Sequence, residues 1–239
     1  MDEREPEVPP IDLRRTLRAL QALFANPDDT AQVFTIIESL TGRSRLRLGE
    51  RFAADPSGAR LLRERPDLVE RLSDREALRR LPEGSLGRAY LAFVESEGIS
   101  ADGLVAASEG GEAARLPAGL QYVHNRMRDT HDLWHAVTGY KGDTLGEAAL
   151  LAFSLPQTRN PGVALIVLAA LLHPRAGGLR ALVLGGFSRG LRAAWLPPID
   201  WAPLLALPLE EVRRRLGVTA APAYTPVRTA ELRALGVLA

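Results

Sequence analysis

Apolar residues recur every three to four positions along almost the whole chain, and no segment shows the strict alternation of a half-buried strand. Leu13, Leu17, Leu20 and Phe24 share one side of a first predicted helix that stops near Asn26-Pro27. A second follows caps at Asp28, Asp29 and Thr30, with Val33, Ile36, Ile37 and Leu40 inward and Gly42 at its end. Shorter arginine-rich helices between Leu46 and Leu81 are punctuated by Pro56, Pro66 and Pro82, with Ser73 and Glu76 spaced as a capping box. Ser85 to Glu97 reads as an amphipathic helix with Leu86, Tyr90, Leu91 and Val94 inward. The glycines at 103, 110 and 111 mark 99–117 as a loop. Ala118 to Thr138 reads as one long helix with a core stripe of Leu120, Val123, Met127, Trp134 and Val137. Beyond it come an apolar run, Val163 to Leu172, a break at His173-Pro174-Arg175, a Gly-rich apolar helix around Leu179 to Trp195, and a last helix between Pro208 and Gly217.

The expected architecture is all-α. It is a single multi-helix domain comprising an N-terminal part (1–98), the Gly-rich loop (99–117), a main part (118–217) and a loosely attached tail (218–239). The longest apolar run has about half the length that a bilayer crossing needs. A formal charge of +1 and 5% aromatic residues argue against a nucleic-acid surface. Without cysteine, disulfides, thiolate ligands and cysteine nucleophiles are excluded. The acidic, Pro-punctuated N-terminus resembles neither a signal peptide nor a transit peptide, so the expected location is the bacterial cytoplasm, peripheral on the inner face of the cytoplasmic membrane.

The chemistry is concentrated in His131-Asp132-Leu133-Trp134-His135 and, twelve residues on, Glu147. At about 100° per residue, His135 lies roughly 40° and Asp132 roughly 100° round the helix from His131. Two imidazoles and a carboxylate therefore leave one side of one helix. The break Gly139 to Asp143 lets a second helix bring Glu147 opposite, and nitrogen and oxygen donors around one point suit a divalent metal. The spacing alone leaves two readings open, a metal site or a solvated histidine pair. Glu147 is equally open, because Thr144-Leu145-Gly146-Glu147 has the form of a capping box.

Placed on a helical chain, His131-Asp132-x-x-His135-x11-Glu147 resembles the hallmark of the ubiquinone (coenzyme Q) biosynthesis proteins of the Coq-four family. The resemblance extends from the first helix to about Leu216. It includes Gly84-Ser85-Leu86-Gly87-Arg88-Ala89-Tyr90, the run from Tyr122-Val123 to Arg128-Asp129, and Pro208-Leu209-Glu210-Glu211-Val212-Arg213.

The resemblance implies a metal site between two helices, with His131, Asp132, His135 and Glu147 as ligands of a divalent ion (zinc, iron, manganese or cobalt). It also implies an apolar lipid channel, for which Val163 to Leu172 and Leu179 to Phe187 are candidate linings. The activity implied is removal of the C1 carboxylate of a polyprenyl-4-hydroxybenzoate-type intermediate, with hydroxylation there. Implied partners are the polyprenyl lipid, other ubiquinone biosynthesis enzymes, a membrane surface and a second copy of the chain. A non-catalytic lipid-binding scaffold is the alternative. Arg126 and Arg128 are candidates to pair with a substrate carboxylate, against a solvated-face reading. A histidine-aspartate phosphohydrolase lacks its upstream histidine here, and a zinc protease lacks its glutamate base, since Asp132 stands in that place.

Overall fold

The structure, a computed structural model, describes residues 10–26, 29–98, 116–172 and 177–226. Most of the expected loop 99–117, the break at His173-Pro174-Arg175 and the tail beyond 226 lie outside the described residues. Among the described residues every regular element is a helix, as the periodicity predicts, and none is long and apolar enough to cross a membrane. The helices are α1 (Leu13–Ala25), α2 (Thr30–Thr41), α3 (Ser44–Ala54), α4 (Pro56–Glu64), α5 (Leu68–Ser73), α6 (Arg75–Arg80) and α7 (Leu86–Glu97). They continue as α8 (Ala118–Asp129), α9 (His131–Thr138), α10 (Thr144–Thr158), α11 (Pro161–Leu172), α12 (Gly177–Arg192) and α13 (Leu209–Leu216). The described residues divide into two compact units, one lying within 1–48, 140–192 and 221–239, the other within 49–139 and 193–220.

In the first unit α10 packs along α12, and α2 packs against both α1 and α11. The α10–α12 crossing is close because α12 presents glycines to it. A Cβ on Gly186 would come within 2.3 Å of the Ala149 carbonyl oxygen, and one on Gly190 within 2.1 Å of that of Phe153. Two of the glycines that mark this segment, Gly186 and Gly190, are thus packing requirements. Ala152, Val163, Val167 and Val183 form one buried cluster, and Ala19, Ile36 and Ile166 another.

The face of α1 differs from expectation. Thr16 and Ala19 are its buried residues, whereas Leu13, Leu17 and Phe24 are exposed. Small side chains let α2 approach, Leu20 and Leu23 pack against the Ala19–Ile36–Ile166 cluster, and Leu13, Leu17 and Phe24 are left on the outside.

In the second unit α7 packs against α6, α9 and α13. Ser85 caps α7 by accepting from the Arg88 N–H, and Gly98 closes it in the left-handed region. Leu86 and Leu209 donate their N–H groups to the Leu207 and Gly84 carbonyls, pinning the start of α13 beside that of α7. Tyr90, Leu133, Val137, Trp201 and Val212 are among the buried residues of this unit. Asp74 caps α6, accepting from the Ala77 N–H, in the place expected for Ser73, which is instead the last residue of α5.

Candidate metal centre

The expected single helix from Ala118 to Thr138 is two helices, α8 and α9, joined at Thr130. The Thr130 hydroxyl and backbone N–H both donate to the Arg126 carbonyl, at 2.8 and 3.0 Å. Such back-bonding from threonine bends a helix without interrupting its hydrophobic stripe. Gly139, in the left-handed conformation, then ends α9.

Within α9 almost everything is buried. His135 is 1% exposed and Asp132 5%. His131 is the outermost of the three, its side chain 37% exposed. Its Nδ1 lies 3.2 Å from Asp132 Oδ1, so the carboxylate fixes the orientation of that ring. The His135 imidazole is stacked on Phe93, with centroids 4.6 Å apart and planes 13° off parallel. The two imidazoles meet edge to face at 4.8 Å.

Glu147 lies in the first turn of α10. The helix cap is Asp143, whose Oδ2 accepts from the Leu145 N–H at 3.2 Å. That makes Asp143 the cap and places Glu147 one position beyond the site of a capping-box partner.

His131 and His135 of α9 and Glu147 of α10 make up a group that could hold a metal ion. The donor set, two imidazoles and one carboxylate, is of the kind that binds first-row divalent metals while leaving positions open. Asp132 sits against His131 outside that group, and His124 is not part of it.

The arginines preceding the motif are placed otherwise than expected. Arg126 is buried, donating from Nε to the Pro197 carbonyl at 3.4 Å and from a terminal nitrogen to that of Ile199. Burial lowers its pKa from the ordinary guanidinium value, and Tyr122 and Asp200 oppose the shift. It clamps the 197–199 turn. Arg128 pairs with Asp129 at 2.7 Å. Burial raises the Asp129 carboxyl above its usual range even so, with Arg128 pulling the other way.

Two residues of this neighbourhood escaped the sequence reading. Phe93 stands seven residues after Leu86, on the apolar stripe of α7, so periodicity predicts its burial but not its partner. Tyr224 lies in a segment read as loose tail. It accepts from the Lys141 N–H and donates to Asp143.

Fold and site together define an all-helical protein with a histidine–carboxylate donor group. The family model described as coenzyme Q (ubiquinone) biosynthesis protein Coq4 matches residues 13–222, and the chain belongs to that family. The Aspergillus flavus ubiquinone biosynthesis protein coq4, mitochondrial, is 34% identical over 187 residues, covering 76% of this chain and 63% of that protein. The Bos taurus homologue, also mitochondrial, is 33% identical over 201 residues, covering 78% and 71%. A crystal structure of a protein from Nostoc punctiforme shares the fold, with a TM-score of 0.63 at 23% identity over 87% of this chain and 98% of that one.

These relatives correct one expectation. The fungal and bovine proteins are mitochondrial, which overturns the assignment to the bacterial cytoplasm and the inner face of its membrane. That assignment rested on the composition of the first residues, and composition does not encode a compartment.

Proposed function

We propose that this chain acts in ubiquinone biosynthesis as a metal-dependent enzyme that releases the C1 carboxylate of a polyprenyl-4-hydroxybenzoate-type intermediate as carbon dioxide, with hydroxylation at that carbon for which dioxygen is the oxidant and the source of the oxygen atom. The donor group of His131, His135 and Glu147 carries the reading, and membership of the Coq4 family supports it. His131, Asp132, His135 and Glu147 make up the proposed site. His131, His135 and Glu147 are the direct donors, and Asp132 holds the His131 ring through Nδ1. A divalent ion bound there, whether zinc, iron, manganese or cobalt, would act as a Lewis acid toward the ring oxygens and draw off the charge left as carbon dioxide departs.

The protein's own part is orientation and dryness. Phe93 covers one face of His135 and keeps water from that side of the ring. Neutral imidazole and ionised carboxylate are the forms that bind a cation, so metal capture is coupled to proton release.

A polyprenyl tail needs apolar surface, because each buried methylene contributes about 0.8 kcal/mol. The first unit offers an open groove of about 380 Å³, lined by Leu155, Pro156, Ala164, Phe187 and Leu191 among others. Leu168, Leu172 and Leu184 are exposed on α11 and α12, which line the groove together with α10, and suit contact with a membrane surface. The exposed Leu13, Leu17 and Phe24 of α1 offer a second apolar face, for another copy of the chain or for another ubiquinone biosynthesis enzyme.

The test is to purify the full chain, measure bound metal and co-extracted lipid, and follow carbon dioxide release from a prenylated 4-hydroxybenzoate. Metal bound by the parent and lost in His135→Ala, together with turnover that follows the metal, is the expected result. A chain that takes up no divalent metal under any loading condition overturns the reading. One that binds metal and lipid but never releases carbon dioxide is the scaffold instead.

A further inference from the structure

The turn that carries Glu147 is held from far along the chain. The Tyr224 hydroxyl accepts from the Lys141 backbone N–H at 2.9 Å and donates to Asp143 Oδ1 at 2.8 Å. The other oxygen of that carboxylate accepts from the Leu145 N–H at 3.2 Å, and the Asp143 carbonyl accepts from the Glu147 N–H at 2.8 Å. Asp143 is 6% exposed, so its carboxylate is held by donors of the protein, these among them, in place of water.

Gly146, immediately before Glu147, completes the arrangement. A Cβ there would fall 2.0 Å from the Lys141 carbonyl oxygen, 2.5 Å from the Tyr224 hydroxyl and 2.9 Å from Asp143 Oδ1. Only glycine lets the tyrosine and the carboxylate close over this turn. Burial and the neighbouring Asp143 charge both raise the Tyr224 pKa, against the Lys141 N–H, which keeps the phenol protonated as a donor.

We propose that Tyr224 is a positioning residue for the metal site, a strap from the C-terminal segment that fixes Asp143 and, through the cap and first turn of α10, the Glu147 carboxylate. The proposal rests on Glu147 being a metal donor. It assigns a role to a stretch that composition marks as loose, and it makes the C-terminal segment part of the site's support.

The experiment is a cobalt(II) titration of the full chain, read by visible absorption and calorimetry, with thermal unfolding measured in parallel. Supporting residues around a metal site typically affect affinity by about 10–100-fold. Tyr224→Phe keeps the ring and removes both hydrogen bonds, so it should weaken cobalt binding about tenfold and alter the absorption band, with the melting temperature changed by only a few degrees. Because Tyr224 acts through Asp143, Tyr224→Phe should cost little more affinity when added to Asp143→Ala.

Unchanged affinity in Tyr224→Phe, while Glu147→Gln weakens binding, overturns the strap and leaves the metal site standing. A Tyr224→Phe protein that has lost its circular dichroism makes the residue a folding requirement and overturns the positioning role. If the parent binds no cobalt, or if Glu147→Gln binds as the parent does, the reading beneath the proposal fails and the strap fails with it.

Discussion

Phe93 lies flat on His135, its ring 4.6 Å from the imidazole and within 13° of parallel, although the two residues belong to different helices and are 42 positions apart. Such a contact limits rotation of the imidazole about χ2, the torsion a metal ligand must hold before the ion arrives. Phe93→Leu keeps an apolar side chain and removes the flat face. Cobalt affinity should fall about tenfold, the lower end of what supporting residues contribute. Equal affinity in parent and variant, by calorimetry, would show that α9 orients His135 unaided.

Much of this neighbourhood is legible from local rules. The bounds of α7 follow from a serine that caps and a glycine that ends it, both short-range devices. The His131–His135 pair follows from helical spacing. The join at Thr130 is hidden because the backbone ladder continues across it, Trp134 donating to Thr130 as in any helix. The outward turn of Leu13 and Leu17 is hidden as well, because periodicity identifies an apolar face without saying whether Thr16 and Ala19 offer a closer fit. Tyr224 is beyond any local rule, since its partners stand about eighty residues earlier.

Gly186 and Gly190 give a second test. An added methyl at either has no room against a backbone carbonyl on α10. Gly186→Ala should destabilise by about 1–3 kcal/mol, as overpacking does. Gly185 on the same helix has nothing within 4 Å of its would-be Cβ. Gly185→Ala should therefore be neutral, or stabilising by up to about 1 kcal/mol from helix propensity. Urea unfolding of the two variants settles the comparison, and equal destabilisation would contradict the packing described.

Asp129 predicts a pH dependence. Burial raises its pKa in the folded state above the unfolded value, so between those two values the native protein binds more protons than the unfolded chain. This group's contribution to stability is fully present below the unfolded pKa and is lost as pH rises through the folded one. The parent should accordingly lose some stability on going from about pH 4 to neutrality, relative to Asp129→Asn. The readout is the difference in slope between the two proteins in denaturant titrations at several pH values. Parallel slopes would place Asp129 in water, or show Arg128 compensating its burial in full.

The outer face of α11 is the last. Leu168 is 50% exposed and Leu172 69%, one turn apart, while Val163, Ile166 and Val167 of the same helix are buried. A helix apolar on every side can have its inner face satisfied by a core while the outer one still lies in water. Exposed leucines that meet acyl chains each contribute up to about 1.5–3 kcal/mol when fully buried there. In the folded protein, replacing them touches little, and surface substitutions away from packed features usually stay within about 0.5 kcal/mol. Leu168→Asp combined with Leu172→Asp should therefore weaken co-sedimentation with phosphatidylcholine–phosphatidylglycerol vesicles at least tenfold and leave the melting temperature nearly unchanged. A double variant that unfolds would make these leucines part of the core. One that sediments with vesicles as the parent does would remove α11 from any membrane contact.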